Sequence, residues 1–447
     1  MTKTPPRFLT LLLACALSSA PAQTLARPGW AGSGMSADPW WKHAVVYHVN
    51  PTDFSASEGS PLHGLTQRLD YLHSLGVDAV LLTPIQPDPA HGQAIDPALG
   101  TVDDLDDLIH QASRRNIRVL LDLTPGTPDL PTVARFWLNR GVAGLHLISA
   151  NAALHLAELR KVSASYLGQR VVLGDLDPST PSPQKSILTH NLDAPQLLLD
   201  PRAGTVPQLS ASTIRPAIDA AQTMIQTGRS MPLLITDGPT YISSIRRYAD
   251  GQHDLAIAKV VATVLFTTGA ASQIYSGQEL GVTAESPAST SSSAPNSNQS
   301  LIQWDAPHSP AKGSATTASP LDATPNVALE DADPTSLLNW YRGLSALHHG
   351  NPTINSGATI TLNHDDQNVL AWIRKPQTVS TISPVLIVIC NLSAQPVQLS
   401  LKPDIERLHL RGTFLRTLLR SDTRRGPMHL ESMALPPYAV YIGELRY

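Results

Sequence analysis

Three aspartates stand where apolar runs end: Asp122 within residues 117–123, Asp175 after residues 171–173, and Asp237 after residues 233–235. An aspartate at the end of a strand either caps the following turn or aims its carboxylate into the space that the strands surround. The Asp237-Gly238 pair is itself a turn signal. Two carboxyls facing one another, one ionised and one protonatable, are the equipment of general acid–base chemistry. His146 lies in the apolar run 144–148, two residues before Ile148, so strand alternation sends both side chains the same way. In a pocket His146 would bind a ligand; in a core it would be held by a hydrogen bond. The 16 histidines show no paired spacing that would hold zinc, and neither a metal nor a cofactor is expected.

The elements that must carry these residues alternate in kind. Apolar strand-like runs cover residues 43–49, 79–83, 117–123, 144–148, 171–173, 197–199, 233–235 and 272–275. Between them lie helical patterns. Leu65, Leu69, Leu72 and Leu75 mark one helix face at spacings of four, three and three. Thr101 with Asp104 resembles a capping box opening a helix whose face is Leu105, Leu108, Ile109 and Ala112. A short helix covers residues 133–138. Eight strands alternating with helices over about 240 residues predict a (β/α)8 barrel in residues 38–350. Within it, residues 282–328 read as a Ser/Pro-rich loop: residues 284–300 hold seven Ser in 17 positions. Two arms around one segment docked by Trp304 are expected there, although Trp304 and Trp340 also suit plain packing or sugar stacking. Beyond residue 350, runs such as 369–373 and 385–389 have no helical period, so residues 351–447 are expected to form a small all-β sandwich.

Composition narrows the class. The 447 residues are 42% hydrophobic and 15% charged, with a net charge of −4 and no strongly basic half, which excludes a nucleic-acid or anionic-membrane surface as the main business. Residues 1–22 read as an export signal: Lys3 and Arg7 precede an apolar run over 8–17, and Ala20-Pro21-Ala22 supplies a cleavage site. Cleavage removes two basic and no acidic side chains, taking the charge to −6. It also removes Cys15 and leaves Cys390 with no cysteine to pair with. Leu12-Leu13-Ala14-Cys15 as a lipid-attachment box is the minority alternative to a free periplasmic or extracellular protein. The apolar run is too short to span a bilayer, and no later stretch qualifies.

Several segments carry a resemblance. Trp40-Trp41-Lys42-His43-Ala44-Val45-Val46-Tyr47, Leu72-His73-Ser74-Leu75-Gly76-Val77-Asp78-Ala79 and Arg135-Phe136-Trp137-Leu138-Asn139-Arg140-Gly141-Val142-Ala143-Gly144 resemble, in order, segments of glycoside hydrolase family 13, the α-amylase family. Ile274-Tyr275-Ser276-Gly277-Gln278-Glu279-Leu280-Gly281 and Gln303-Trp304-Asp305 continue the likeness, which covers roughly residues 38–447. The resemblance implies α-glucosidic chemistry with an Asp nucleophile after strand four, a Glu acid/base after strand five and a third carboxylate after strand seven. The nucleophile position falls at Ile148, which cannot form a glycosyl ester, and the usual Arg at His146. The acid/base falls at Asp175, one methylene short, and the third carboxylate at Asp237, preceded by Thr236 in place of His. Asp122 matches the first Asp of the third-strand motif, while its Asn and His are Gly126 and Thr127. Asp122 and His146 are therefore the expected substrate contacts. The family's Gly-Tyr-Asp sugar platform reads Gly92-Gln93-Ala94, and the domain usually inserted after strand three is missing, since 20 residues separate Thr127 from Ile148.

The resemblance thus implies an exported α-amylase-family protein of α-glucan metabolism, acting on an α-glucan or malto-oligosaccharide, with catalysis lost or strongly impaired. Two alternatives stand beside it. One is an active glycosidase or transglycosidase using Asp175 and Asp237 in an inverting geometry; the other is a non-catalytic scaffold for a protein partner.

Overall fold

The computed structural model describes residues 38–54, 59–124, 126–148, 153–176, 194–228, 230–241, 243–282, 302–305, 326–380 and 383–447. The proposed signal segment, Cys15 and the two arms of the Ser/Pro-rich loop lie outside these residues.

Eight parallel strands close into a barrel in sequence order: β1 (Val45–Val49), β2 (Ala79–Leu82), β3 (Arg118–Leu123), β4 (Gly144–Leu147), β5 (Val171–Asp175), β6 (Leu197–Asp200), β7 (Met231–Leu234) and β8 (Ala271–Tyr275). The ring is sealed where β1 meets β8, with Val45 opposite Ser272 and His48 opposite Tyr275. Side chains alternate across each strand, so one set fills the interior and the other packs on the helices. The interior set includes Val46, Leu81, Leu120, Leu173, Leu197, Leu199, Met231, Leu233 and Ala271, all buried in one apolar cluster. β4 begins with a glycine for lack of space: a Cβ on Gly144 would lie 2.3 Å from the Val171 side chain and 2.5 Å from its carbonyl oxygen.

The helices follow the sequence pattern, with one correction. The face marked by Leu65, Leu69, Leu72 and Leu75 is divided between two helices, Pro61–Gln67 and Leu69–Leu75, which meet at Arg68 (φ −103°, ψ 10°). All four leucines remain fully buried, because a shared break in the backbone does not alter which side faces the barrel. The capping box at Thr101 and Asp104 is present and opens the helix Val102–Arg114. The short helix after β3 spans Leu130–Asn139 and is the single described helix between β3 and β4. Among the described residues, no helix is long and apolar enough to cross a membrane.

Residues 39–447 form one compact unit. Beyond residue 350 the described chain is all-β but for two short helices, Pro352–Ser356 and Lys402–Arg407. The strands are β9 (Ala358–Leu362), β10 (Val369–Lys375), β11 (Leu386–Asn391), β12 (Val397–Leu399), β13 (Phe414–Arg420), β14 (Met428–His429), β15 (Met433–Leu435) and β16 (Val440–Arg446). Six of them form a sheet in the order β14-β13-β16-β11-β10-β9, and β12 pairs with β15. One face of the large sheet, with Leu370, Trp372, Val388, Cys390 and Ile442, joins the core shared with the barrel helices. The other face, with Val369, Ala371, Ile373, Ile387 and Ile389, packs with Leu401, Ile405, Met433 and Leu435. Arg374 is buried at the junction and donates to the carbonyls of Thr268 and Asn355.

Candidate functional site

The C-terminal ends of the barrel strands replace the apolar interior with a polar layer. His48, Asp122, His146, Asp175 and Gln273 each lie two residues beyond an interior position, at Val46, Leu120, Gly144, Leu173 and Ala271, so the same alternation points them inward. Tyr275 continues the series on β8. Barrels of this kind carry their ligands at this end.

Three of the expected residues meet there. His146 Nδ1 lies 2.7 Å from Asp122 Oδ1, and its Nε2 lies 3.2 Å from Asp175 Oδ1. The second oxygen of Asp122 is 3.1 Å from His48 Nε2. His48, Asp122 and His146 are buried, whereas the Asp175 side chain is 45% exposed. Burial by itself would raise the Asp122 carboxyl, but the flanking imidazoles outweigh it and hold the group at about 2. Burial by itself would lower His146; the charge and hydrogen bond of Asp122, and then those of Asp175, push it up to about 10.

Asp237 is placed differently. It is 4% exposed, and Ser244 satisfies both of its oxygens: the Ser244 amide donates to Oδ1 at 2.6 Å and the hydroxyl donates to Oδ2 at 3.0 Å. Arg247 stands 3.7 Å from Oδ1. The carboxylate thereby ties the end of β7 to the start of the short helix Ser244–Tyr248. Burial raises its pKa, offset in part by the Ser244 bonds and by Arg247. Among the described residues no hydrogen bond joins Asp237 to Asp175. The neighbouring Thr236 hydroxyl accepts from the Gln278 amide at 2.6 Å.

Ile148 follows β4 directly and is half-buried; its side chain offers no atom that can ionise. Trp340 is buried in packing, its indole donating to the Lys259 carbonyl at 3.1 Å. Trp304 docks against Phe54 and Tyr71 with ring centroids 5.4 and 5.1 Å away and lies under the Arg68 guanidinium at 4.2 Å. Its neighbour Gln303 pairs with Asn326, so residues 302–305 are the docked segment of the long loop. Trp137, whose indole donates to the Gly92 carbonyl at 2.9 Å, anchors the segment around residues 92–94.

Sequence reasoning passed over five residues around the mouth. His48, Gln273 and Tyr275 were readable from strand phase, since each continues an interior series. Gln273 is 1% exposed, and its amide nitrogen donates to the Asp237 carbonyl at 3.4 Å. Asp53, in the 3-10 turn Pro51–Phe54 after β1, is raised to about 6 by burial, against the pull of Ser276, Asn50 and His48. Glu279 is fully buried and accepts from Tyr47 and Tyr71 at 2.9 and 2.7 Å; burial raises it to about 6 against those bonds. No local pattern marks either carboxyl, because both are placed by connections made far apart in sequence. No group of His, Cys, Asp and Glu among the described residues is arranged to hold a metal ion.

Comparison with known proteins places this arrangement. The family model "Alpha amylase, catalytic domain" matches residues 48–126. The amino acid transporter heavy chain SLC3A2 of Oryctolagus cuniculus is 29% identical over 377 residues, covering 74% of this chain and 65% of that protein. The trehalose-6-phosphate hydrolase of Escherichia coli (strain K12) is 45% identical over 95 residues, which are 19% of this chain and 17% of that enzyme. The chain therefore spans less than two thirds of the length of these relatives. In fold it is similar to the isomaltulose synthase of Klebsiella sp. LX3, with a TM-score of 0.73, 18% identity, and coverage of 92% of this chain and 100% of that one. The trehalulose synthase MutB of Pseudomonas mesoacidophila MX-45 gives a TM-score of 0.71 at 18% identity, over 92% of this chain and 100% of that one. The family model, the hydrolase likeness and the closed barrel agree: over residues 48–126 the chain is similar to the catalytic domain of the α-amylase family, glycoside hydrolase family 13, and its barrel has the matching fold.

Proposed function

We propose that this chain is an exported α-amylase-family protein of α-glucan metabolism that binds a malto-oligosaccharide at the barrel mouth without cleaving it at the rate of a working glycosidase. The observation that carries the reading is Ile148, which stands directly after β4 and presents no carboxylate to an anomeric carbon. A retaining route needs an ester to a carboxylate about 5 Å from the acid, and an inverting route needs two carboxyls about 6.5–9.5 Å apart with a water between them. Asp175 and Asp237 are the pair for the second route, and the Ser244 bonds at both Asp237 oxygens count against its acting as a base. Binding is supported by the polar layer itself: an exposed carboxylate at Asp175 and the half-buried ring of Tyr275 supply a hydrogen-bonding group and a flat face that suit a sugar. Export is supported by the composition of residues 1–22.

The test is reducing-sugar release from starch and maltoheptaose over a day at high protein concentration, with Asp175→Asn/Asp237→Asn as control, alongside calorimetric titration with maltotriose. Binding without release is expected. Release that disappears in the double variant would reveal a working pair. Ile148→Asp alone is also expected to stay inactive, because residues that act as a unit are strongly non-additive. A second reading, a scaffold for a protein partner, is favoured by the relative matched over 377 residues, which is named a transporter heavy chain. No titration heat with any malto-oligosaccharide, together with stoichiometric co-purification of one protein from the native host, would decide for it.

A further inference from the structure

A carboxylate accepts hydrogen bonds and donates none. His146 has a carboxylate oxygen at each ring nitrogen, Asp122 at 2.7 Å and Asp175 at 3.2 Å. With both carboxyls ionised, the two bonds are made at once only when both nitrogens carry protons, so the geometry points to an imidazolium. The groups that face the ring are Asp122 from β3 and Asp175 from β5, with His48 of β1 reaching it through the other Asp122 oxygen. With His146 itself on β4, four strands thus deliver an alternating chain in which a buried cation lies between one buried and one exposed anion.

We infer that His146 is a positioning residue: an imidazolium that ties the exposed Asp175 carboxylate to the buried Asp122 and fixes the orientation in which Asp175 meets a ligand hydroxyl. An aspartate whose side chain is 45% exposed would otherwise exchange among rotamers, and binding would have to order it. Anchored through one oxygen to a ring that is itself held by a buried carboxylate, Asp175 is ordered before a ligand arrives. The cation also explains how Asp122 stays ionised at 1% exposure, since a buried charge persists only when it is paired. The chain reaches this arrangement with imidazole where the resemblance to its family leads one to expect guanidinium, which supplies a rescue variant. The ligand half of the inference rests on the oligosaccharide reading above; the charge half does not.

Two measurements separate them. In the full protein with nitrogen-15-labelled histidine, the His146 ring should be doubly protonated across neutral pH and titrate only at about 10. Asp175→Asn should move that midpoint down by about 0.4 pH unit, because it removes the more exposed of the two facing charges, whose pairing water screens. A ring that titrates near the ordinary 6.5, or one indifferent to Asp175→Asn, overturns the positioning role. For the ligand, titration with maltotriose should show His146→Gln weakened about tenfold or more, and His146→Arg recovering most of that loss. Wild-type affinity in a folded His146→Gln variant also overturns the inference. If the wild-type protein binds no maltotriose, the oligosaccharide reading falls, and the nitrogen-15 titration still decides the role of His146. If His146→Gln does not fold, the Asp175→Asn shift carries the same decision.

Discussion

Asp122 and Asp237 are buried carboxylates on opposite sides of one barrel mouth, 1% and 4% exposed, yet the two sides use them in opposite ways. On the β3–β5 side, Asp122 is bonded by the rings of two histidines, and through His146 it is linked to a carboxylate that solvent can reach. On the β7 side, Asp237 is bonded by the amide and hydroxyl of a single serine and turns inward as the clasp of a short helix. Burial and place in the barrel are nearly matched; partners are not. A side-chain cation relays charge toward the mouth, whereas a backbone amide consumes it locally. The comparison teaches that a carboxylate at a strand end has no fixed role until its donors are known.

The largest expected effect tests the β3–β5 side. Asp122→Asn leaves the His146 imidazolium buried without its main counter-charge, and breaking a buried pair in this way costs about 3–5 kcal/mol. Urea unfolding followed by far-ultraviolet circular dichroism measures it. A loss no greater than that of an ordinary surface variant would mean that the ion chain is not held in solution. The β7 side should respond less. Ser244→Ala removes one hydroxyl bond to a carboxylate but keeps the amide bond, so a loss of about 1–2 kcal/mol is expected, with maltotriose affinity unchanged. A binding defect in that variant would put Asp237 back among the ligand contacts.

The two sides should also differ in the sign of their pH dependence. Asp122 falls from 3.8 to about 2 on folding, so its contribution is complete above 3.8 and is lost as pH falls through about 2. His146 rises from 6.5 to about 10, so its contribution is complete below 6.5 and is lost as pH rises through about 10. Asp237 is raised above 3.8 by burial, so its contribution is present below 3.8 and is lost as pH rises through its folded value. Between about pH 2 and 4 the melting temperature of Asp122→Asn should therefore drop further behind wild type as pH rises, while that of Asp237→Asn should catch up above pH 4. Parallel curves for the two variants would erase the distinction between the sides.

How much of this was legible in the sequence follows the same division. The eight strands and the capping box at Thr101 were visible because they rest on local pattern, alternation of apolar residues and a side chain reaching three residues along. Ile148 was singled out by the resemblance, through counting from Gly141 and Gly144, and strand phase adds only that it points the same way as His146. The break at Arg68 was not visible, because four leucines on one face read the same whether or not the backbone between them turns aside. Neither Asp53 nor Glu279 announced itself. Glu279 lies 232 residues from Tyr47 and 208 from Tyr71, and only the closure of the barrel brings those hydroxyls to it. Likewise, nothing near Asp237 in the sequence distinguishes a clasp from a catalyst. That distinction is made by a hydroxyl and an amide seven residues on, in a turn whose course the local residues do not dictate.

The smallest expected effect is the sharpest test of the comparison. Asp175→Asn removes the charge at the exposed end of the chain while keeping an oxygen that can still accept from His146 Nε2. Because the Asp175 side chain is 45% exposed, its ion pair with His146 is screened by water, and stability should change by no more than about 0.5 kcal/mol. Maltotriose affinity should nevertheless fall, since the lost charge is the one that the mouth presents outward. Asp237→Asn should show the reverse, a clear change in stability with little change in affinity, because its oxygens already serve Ser244. Measured side by side by urea midpoint and by titration calorimetry, the two substitutions make the same chemical change at two strand ends. If Asp175→Asn destabilises the fold as much as Asp237→Asn does and leaves binding alone, then Asp175 is a structural group as well, and the mouth contains no carboxylate set aside for a ligand.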